Sequence, residues 1–91
     1  MKIKLTKGVT VGDKLVKEIE LDFDKLKGKD LIAAEKEARA AGDQTPSIFI
    51  SSYGHAVIAA KILNVPVDEI LELPLNDFKR IIAPVGSFLL Q

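Results

Sequence analysis

Between Ile48 and Leu63 the chain places eleven apolar side chains in sixteen residues, with one full charge, Lys61. The segment is too apolar for a surface helix, which carries a polar face opposite its apolar stripe. It falls short of the roughly 20 residues that span a bilayer, and Ser51, Ser52, Gly54 and His55 interrupt it. Such a helix needs protein on most of its sides. A chain of 91 residues is a small supply of cover, so the segment points to a partner or an oligomer.

Projected at about 100° per residue, Ile48, Phe49, Tyr53, Ala56, Ala59, Ala60, Ile62 and Leu63 occupy one broad side, the expected core face. Ile50, Val57 and Ile58 form a second stripe on the other side, with Gly54 and Lys61. Burying each of these side chains contributes about 1.5–3 kcal/mol, so either the N-terminal region or a partner is expected to cover them. The terminal Phe88-Leu89-Leu90 raises the same question. The candidate partner-binding residues are therefore Ile50, Val57, Ile58, Phe88 and Leu89.

The first 23 residues alternate. Ile3, Leu5, Val9 and Val11, then Leu15, Ile19, Leu21 and Phe23, are separated by charged or polar residues around Gly12-Asp13. Period-two alternation around a glycine turn predicts a hairpin. Pairing Ile3 with Leu21 and Leu5 with Ile19 puts all four on one face, and Gly8 marks a bulge or break. A lone hairpin is marginal in water, so this face is expected to pack on helices.

Helices are predicted over about 28–41, 46–63, 67–73 and 74–90. The first is rich in Ala, Glu, Lys and Arg, with a small-residue stripe of Leu31, Ala34, Ala38 and Ala41 and with Gly42 as its stop. Thr45-Pro46 is a start signal for the apolar helix, and Asn64 suits a left-handed end. In the last helix Leu75, Phe78, Ile82, Val85 and Leu89, with Ile81 and Phe88, lie on one stripe, and Pro84 should kink or loosen it. The fold class is α+β, one domain over 1–91, with the hairpin (1–23) packed on a helical body (24–91).

Formal net charge is zero and there is no Cys. The balance argues against nucleic-acid binding, and the missing thiols exclude disulfides and thiolate metal sites. Residues 1–29 carry +3 and residues 30–91 carry −3, an asymmetry open to contact between copies. The N-terminus has no apolar signal-peptide core, which reads as a cytoplasmic chain with no membrane segment. Ser51 and His55, one helical turn apart, lack an orienting third group for nucleophilic catalysis. Asp68, Glu69, Glu72 and Asp77 are explained by helix N-terminal preference rather than by a metal. A helix–turn–helix reading of 58–73 is opposed by its acidic second segment. No catalytic, cofactor or metal residues are assigned.

The order of short motifs resembles the small tail assembly chaperones of long-tailed bacteriophages and prophages. The carrying segments are Val9-Thr10-Val11-Gly12-Asp13 with Glu18-Ile19-Glu20-Leu21, then Leu26-Lys27-Gly28-Lys29-Asp30-Leu31. His55-Ala56-Val57-Ile58-Ala59-Ala60-Lys61, Leu73-Pro74-Leu75-Asn76-Asp77-Phe78 and Val85-Gly86-Ser87-Phe88-Leu89 follow. Lys27 stands where such proteins often have a Ser or Thr cap, which puts the first helix start in doubt. The resemblance implies a non-enzymatic protein of the host cytoplasm, absent from the mature virion. It implies binding of the tape-measure protein, help to tail-tube assembly, and in several relatives a longer frameshifted form. Self-association into an open or ring-like oligomer is a further expectation. The alternatives are a small regulatory domain that binds DNA or protein, and a non-catalytic subunit of an enzyme complex.

Overall fold

A computed structural model describes residues 1–91. Two strands, β1 (Lys2–Val11) and β2 (Lys14–Glu20), form an antiparallel hairpin. A 3-10 turn at Phe23–Lys25 leads into α1 (Gly28–Ala40). A second 3-10 turn at Ile48–Ile50 precedes α2 (Ser52–Leu63), α3 (Val67–Leu71) and α4 (Leu75–Leu89). The arrangement is α+β, as the alternating and then helical patterns require.

The hairpin closes through Gly12-Asp13, with Gly12 at φ +67° and Val11 opposite Lys14. Its register differs from the predicted one. Ile3 faces Ile19, Met1 accepts from the Leu21 N–H at 2.8 Å, and Leu5 has no direct partner. Lys4 pairs with Glu18 and Val9 with Val16, so Leu5–Gly8 stand opposite Lys17 alone. The extra residues bulge at Gly8, whose φ of +90° is open to glycine and strained for other residues. A shift of two residues preserves side-chain facing; Ile3, Leu5, Ile19 and Leu21 are all buried. The strand region ends at Glu20, and Phe23 belongs to the 3-10 turn.

α1 starts without a side-chain cap from Lys27, but the Asp30 carboxylate accepts the Lys27 N–H at 2.8 Å. That is half of a capping box, so the first turn keeps one of its lost bonds. At its other end Asp43 N–H reaches the Ala38 carbonyl and Gly42 N–H the Arg39 carbonyl, both at 3.0 Å, a Schellman closure. Ala34 and Ala38 are the buried residues of α1; Ala41 is exposed.

The apolar helix begins later than predicted. Ser51, not Thr45, caps α2: its Oγ accepts the Gly54 N–H at 2.9 Å. Thr45 instead gives its hydroxyl and N–H to Asp43 Oδ1, at 2.5 and 3.1 Å. Residues 48–50 therefore form a separate 3-10 turn ahead of the helix rather than its first turn. Ile48 folds inward, while Phe49 is 41% exposed rather than in the core. Asn64 ends α2 at φ 58°, ψ 48°, the expected left-handed stop.

α2 packs against α1, α3 and α4, while the hairpin rests on α4 and α3. From Gly54 to Ala60 every residue of α2 is buried, including Val57 and Ile58. Val57 and Ile58 of the predicted second stripe are thus covered within the chain, where α2 packs on α1, α3 and α4; Ile50, its third member, stays 61% exposed. Small residues allow this close cover: a Cβ on Gly86 of α4 would stand 3.1 Å from His55 Cε1. α4 runs unbroken through Pro84, with Ile81 and Val85 fully buried and Leu75 exposed at its start. Sixteen residues from hairpin and helices form the hydrophobic core. No helix is long and apolar enough to cross a membrane.

Candidate functional site: an apolar cleft at the end of α4

The first 3-10 turn, the start of α1 and the last turn of α4 converge on an open cleft of about 190 Å³. Its walls are Phe23, Leu26, Leu31, Phe88 and Leu89, and Ile58 forms its floor. Phe23 and Phe88 stack with ring centroids 4.3 Å apart and planes 6° from parallel. Stacked aromatics hold their geometry beyond the effect of area alone, so this wall fixes the terminal turn of α4. Phe88 keeps 38% of its surface exposed, and Leu90 beside it 66%.

Three of the five sequence-derived candidates meet here: Phe88 and Leu89 as wall, Ile58 as floor. Ile58 is 2% exposed and Val57 1%, so both serve the core, and Val57 presents no surface to a partner. Ile50 is 61% exposed on the second 3-10 turn, which packs against α4. His55 Nε2 lies 3.0 Å from the Phe49 carbonyl, so that nitrogen donates and ties the turn to α2. Phe23 and Leu26 also line the cleft, which no local pattern in the sequence marks: Phe23 is placed there by its stacking on Phe88, sixty-five residues away.

The polar groups are occupied structurally. Ser51 Oγ donates to Asp43 Oδ2, and His55 engages Phe49, so the pair does not form a nucleophile–base hydrogen bond. Asp43 is held below the usual carboxylate range by the hydrogen bond from Ser51, then by those from Thr45, with Arg39 adding a smaller effect. Arg39 also ties the α1–α2 loop, donating to the carbonyls of Asp43 (3.2 Å), Thr45 and Pro46 (3.3 Å).

Asp77 is fully buried. Its Oδ1 accepts the Thr6 N–H and its Oδ2 the Lys7 N–H, each at 2.7 Å, and Gly8 N–H lies 3.3 Å from Oδ2. The Thr6 bond is the largest influence lowering its pKa; burial opposes it, and Lys7, Gly8 and Arg80 reinforce it. This carboxylate is a structural anchor. No group of three or more His, Cys, Asp or Glu side chains gathers in a way that would hold a metal ion.

The apolar cleft thus lies in a chain whose buried polar side chains are engaged in hydrogen bonds that hold the fold. Residues 2–90 match the family described as phage tail assembly chaperone proteins, E, or 41 or 14. The chain belongs to that family of phage tail assembly chaperones. Comparisons with curated proteins and with solved structures give no match.

Proposed function

We propose that this chain, folding as one unit, binds the tape-measure protein and promotes tail-tube assembly around it. It does so without catalysis, in the host cytoplasm, and leaves before the virion is complete. The observation that carries this reading is the open Phe23–Phe88 cleft in a chain of the tail assembly chaperone family. A groove of this kind accepts the apolar face of a helix. Phe88 and Leu89 are its contact residues, with Ile50 as an outlying one. Tail-tube protein is a further partner.

Co-expression with tagged tape-measure protein tests the proposal. Wild-type chain should co-purify, and Phe88→Asp should lose capture while keeping its helical circular dichroism. Equal capture by a folded Phe88→Asp variant overturns the cleft assignment; no capture by wild type overturns the partner. The regulatory-domain alternative gains nothing from the surface, because α3 exposes Asp68 rather than basic side chains.

A further inference from the structure

The cleft at the end of α4 has two unlike lips. Along one run the 3-10 turn and the first residues of α1, with Lys25, Lys27 and Lys29 all exposed. The other is the end of α4, with Phe88, Leu89 and then Leu90, and residues 81–91 carry no charged side chain. The one ion pair of the chain, Met1 with Glu20, uses none of the three lysines. Three acids share their stretch. The carboxylates of Asp22 and Asp30 already accept backbone N–H groups, of Asp24 at 3.1 Å and Lys27 at 2.8 Å, and only Asp24 is exposed. The ammonium groups of this lip are therefore free for an incoming acceptor, while its carboxylates are mostly committed. Between the lips the recess of about 190 Å³ is smaller than the roughly 300–1,000 Å³ of small-molecule sites. No buried, unpaired polar side chain is available to orient a small ligand. The recess is sized for one or two side chains of a larger partner.

We infer that the cleft selects an amphipathic helix by charge as well as by shape: two large apolar side chains one turn apart enter it, and carboxylates along one edge of that helix face Lys25, Lys27 and Lys29. This deepens the reading above and rests on it. The tape-measure segment bound is one that is apolar at i and i+4, acidic along one edge and uncharged along the other. A helix edged with Lys or Arg would bring like charges together, and such repulsion is how a binding surface rejects wrong segments. The one-sided charge also fixes direction. A helix turned end for end exchanges its two edges, so its carboxylates would lie against Phe88 and Leu89 and lose the lysines. The contacts are exposed, so each contributes little alone. Salt screens them, with a Debye length of about 8 Å at physiological ionic strength.

Two labelled synthetic helical peptides of about 18 residues test this with the full chain. Both carry a Leu ridge at i and i+4 spacing. One has Glu along one edge and Gln along the other; the second has Lys in place of Glu. Fluorescence anisotropy should show the wild type binding the Glu peptide about tenfold more tightly, with the difference shrinking as salt is added. Lys25→Glu, Lys27→Glu and Lys29→Glu combined should invert the preference. Lys14→Glu, Lys36→Glu and Lys79→Glu combined make the same change of net charge at exposed positions elsewhere and should leave the preference as it was. Phe88→Asp should bind neither peptide. Equal binding of the two peptides by the wild type, binding of neither, an equal effect of the two triple variants, or full binding by Phe88→Asp overturns the inference. The two readings fail differently. If the tape-measure reading fails, no chain captures that protein and the peptide results stand. If the charge selection fails, the wild type and the variant reversed at Lys25, Lys27 and Lys29 capture tagged tape-measure protein equally.

Discussion

Asp77 reaches the bulge at Gly8 from a helix sixty-nine residues further along the chain. Its carboxylate takes three consecutive N–H groups, those of Thr6, Lys7 and Gly8, that the bulge has withdrawn from the ladder. The bulge and the acid explain each other. Without the carboxylate, buried or half-buried donors would lack partners, and without the bulge those donors would face β2. Asp77→Asn keeps the size but replaces an acceptor oxygen with a donating amide. The melting temperature should fall by roughly 10 °C, and hydrogen exchange should quicken first at the amides of residues 2–11.

The same contact sets the response to acid. Asp77 is held below its usual 3.8 chiefly by the Thr6 N–H. In the unfolded chain it takes its proton near 3.8; in the folded chain it does so only at lower pH. Its contribution is therefore complete above the unfolded value and is lost as pH falls from there through the folded one. Thermal denaturation across that acid range should show a steep loss in wild type and a shallower one in Asp77→Asn. Asp43, shifted in the same direction, adds to the loss in the same sense. A wild type as flat as the variant would count against the anchor.

Gly8→Ala should be more damaging than an ordinary strand substitution. The position has φ +90°, and a Cβ there would lie 2.7 Å from the Val16 carbonyl oxygen, a backbone atom that cannot swing away. Strain of this type costs about 1–3 kcal/mol, which for a domain this size lowers the melting temperature by roughly 10 °C. Gly28→Ala, at a helix start with open space around it, is the matched control and should change stability little.

The hairpin face was legible because alternation is local: Ile3, Leu5, Ile19 and Leu21 share a face in either register. The register was not legible, since the bulge that shifts it is fixed by Asp77, a residue whose helix-start position looked sufficient explanation for its charge. The start of α2 was misread for a related reason. Thr45-Pro46 carries the local signature of a helix start, but Asp43 takes the Thr45 hydroxyl and leaves capping to Ser51. At the cleft, the apolar end of α4 was readable from Phe88 and Leu89. Phe23 was not, because nothing local marks a strand-like residue for stacking on the far end of the chain.

Ser51 should therefore matter more than Thr45. Ser51→Ala removes the α2 cap and the hydroxyl that Asp43 accepts, and loss of a cap costs about 1 kcal/mol. The Thr45→Val variant loses one hydroxyl contact with Asp43 but leaves the cap intact. Urea denaturation of the two variants should show the lower midpoint for Ser51→Ala. The reverse order would restore Thr45 as the helix start.

Val57 and Ile50 separate core from surface most directly. They lie seven residues apart and were assigned to one stripe, yet Val57 is 1% exposed and Ile50 61%. A charge at Val57 would enter a core closed by α1, α3 and α4, where an unpaired ion costs several kcal/mol against a total stability of about 5–15 kcal/mol. Val57→Glu should be unfolded or insoluble. Ile50→Glu puts its carboxylate in water and should keep its melting temperature to within the change expected of a surface substitution, about 0.5 kcal/mol. Circular dichroism melts of both variants check this. If Val57→Glu folded as well as Ile50→Glu, α2 would have an open side after all, and the cover assigned to the neighbouring helices would be wrong.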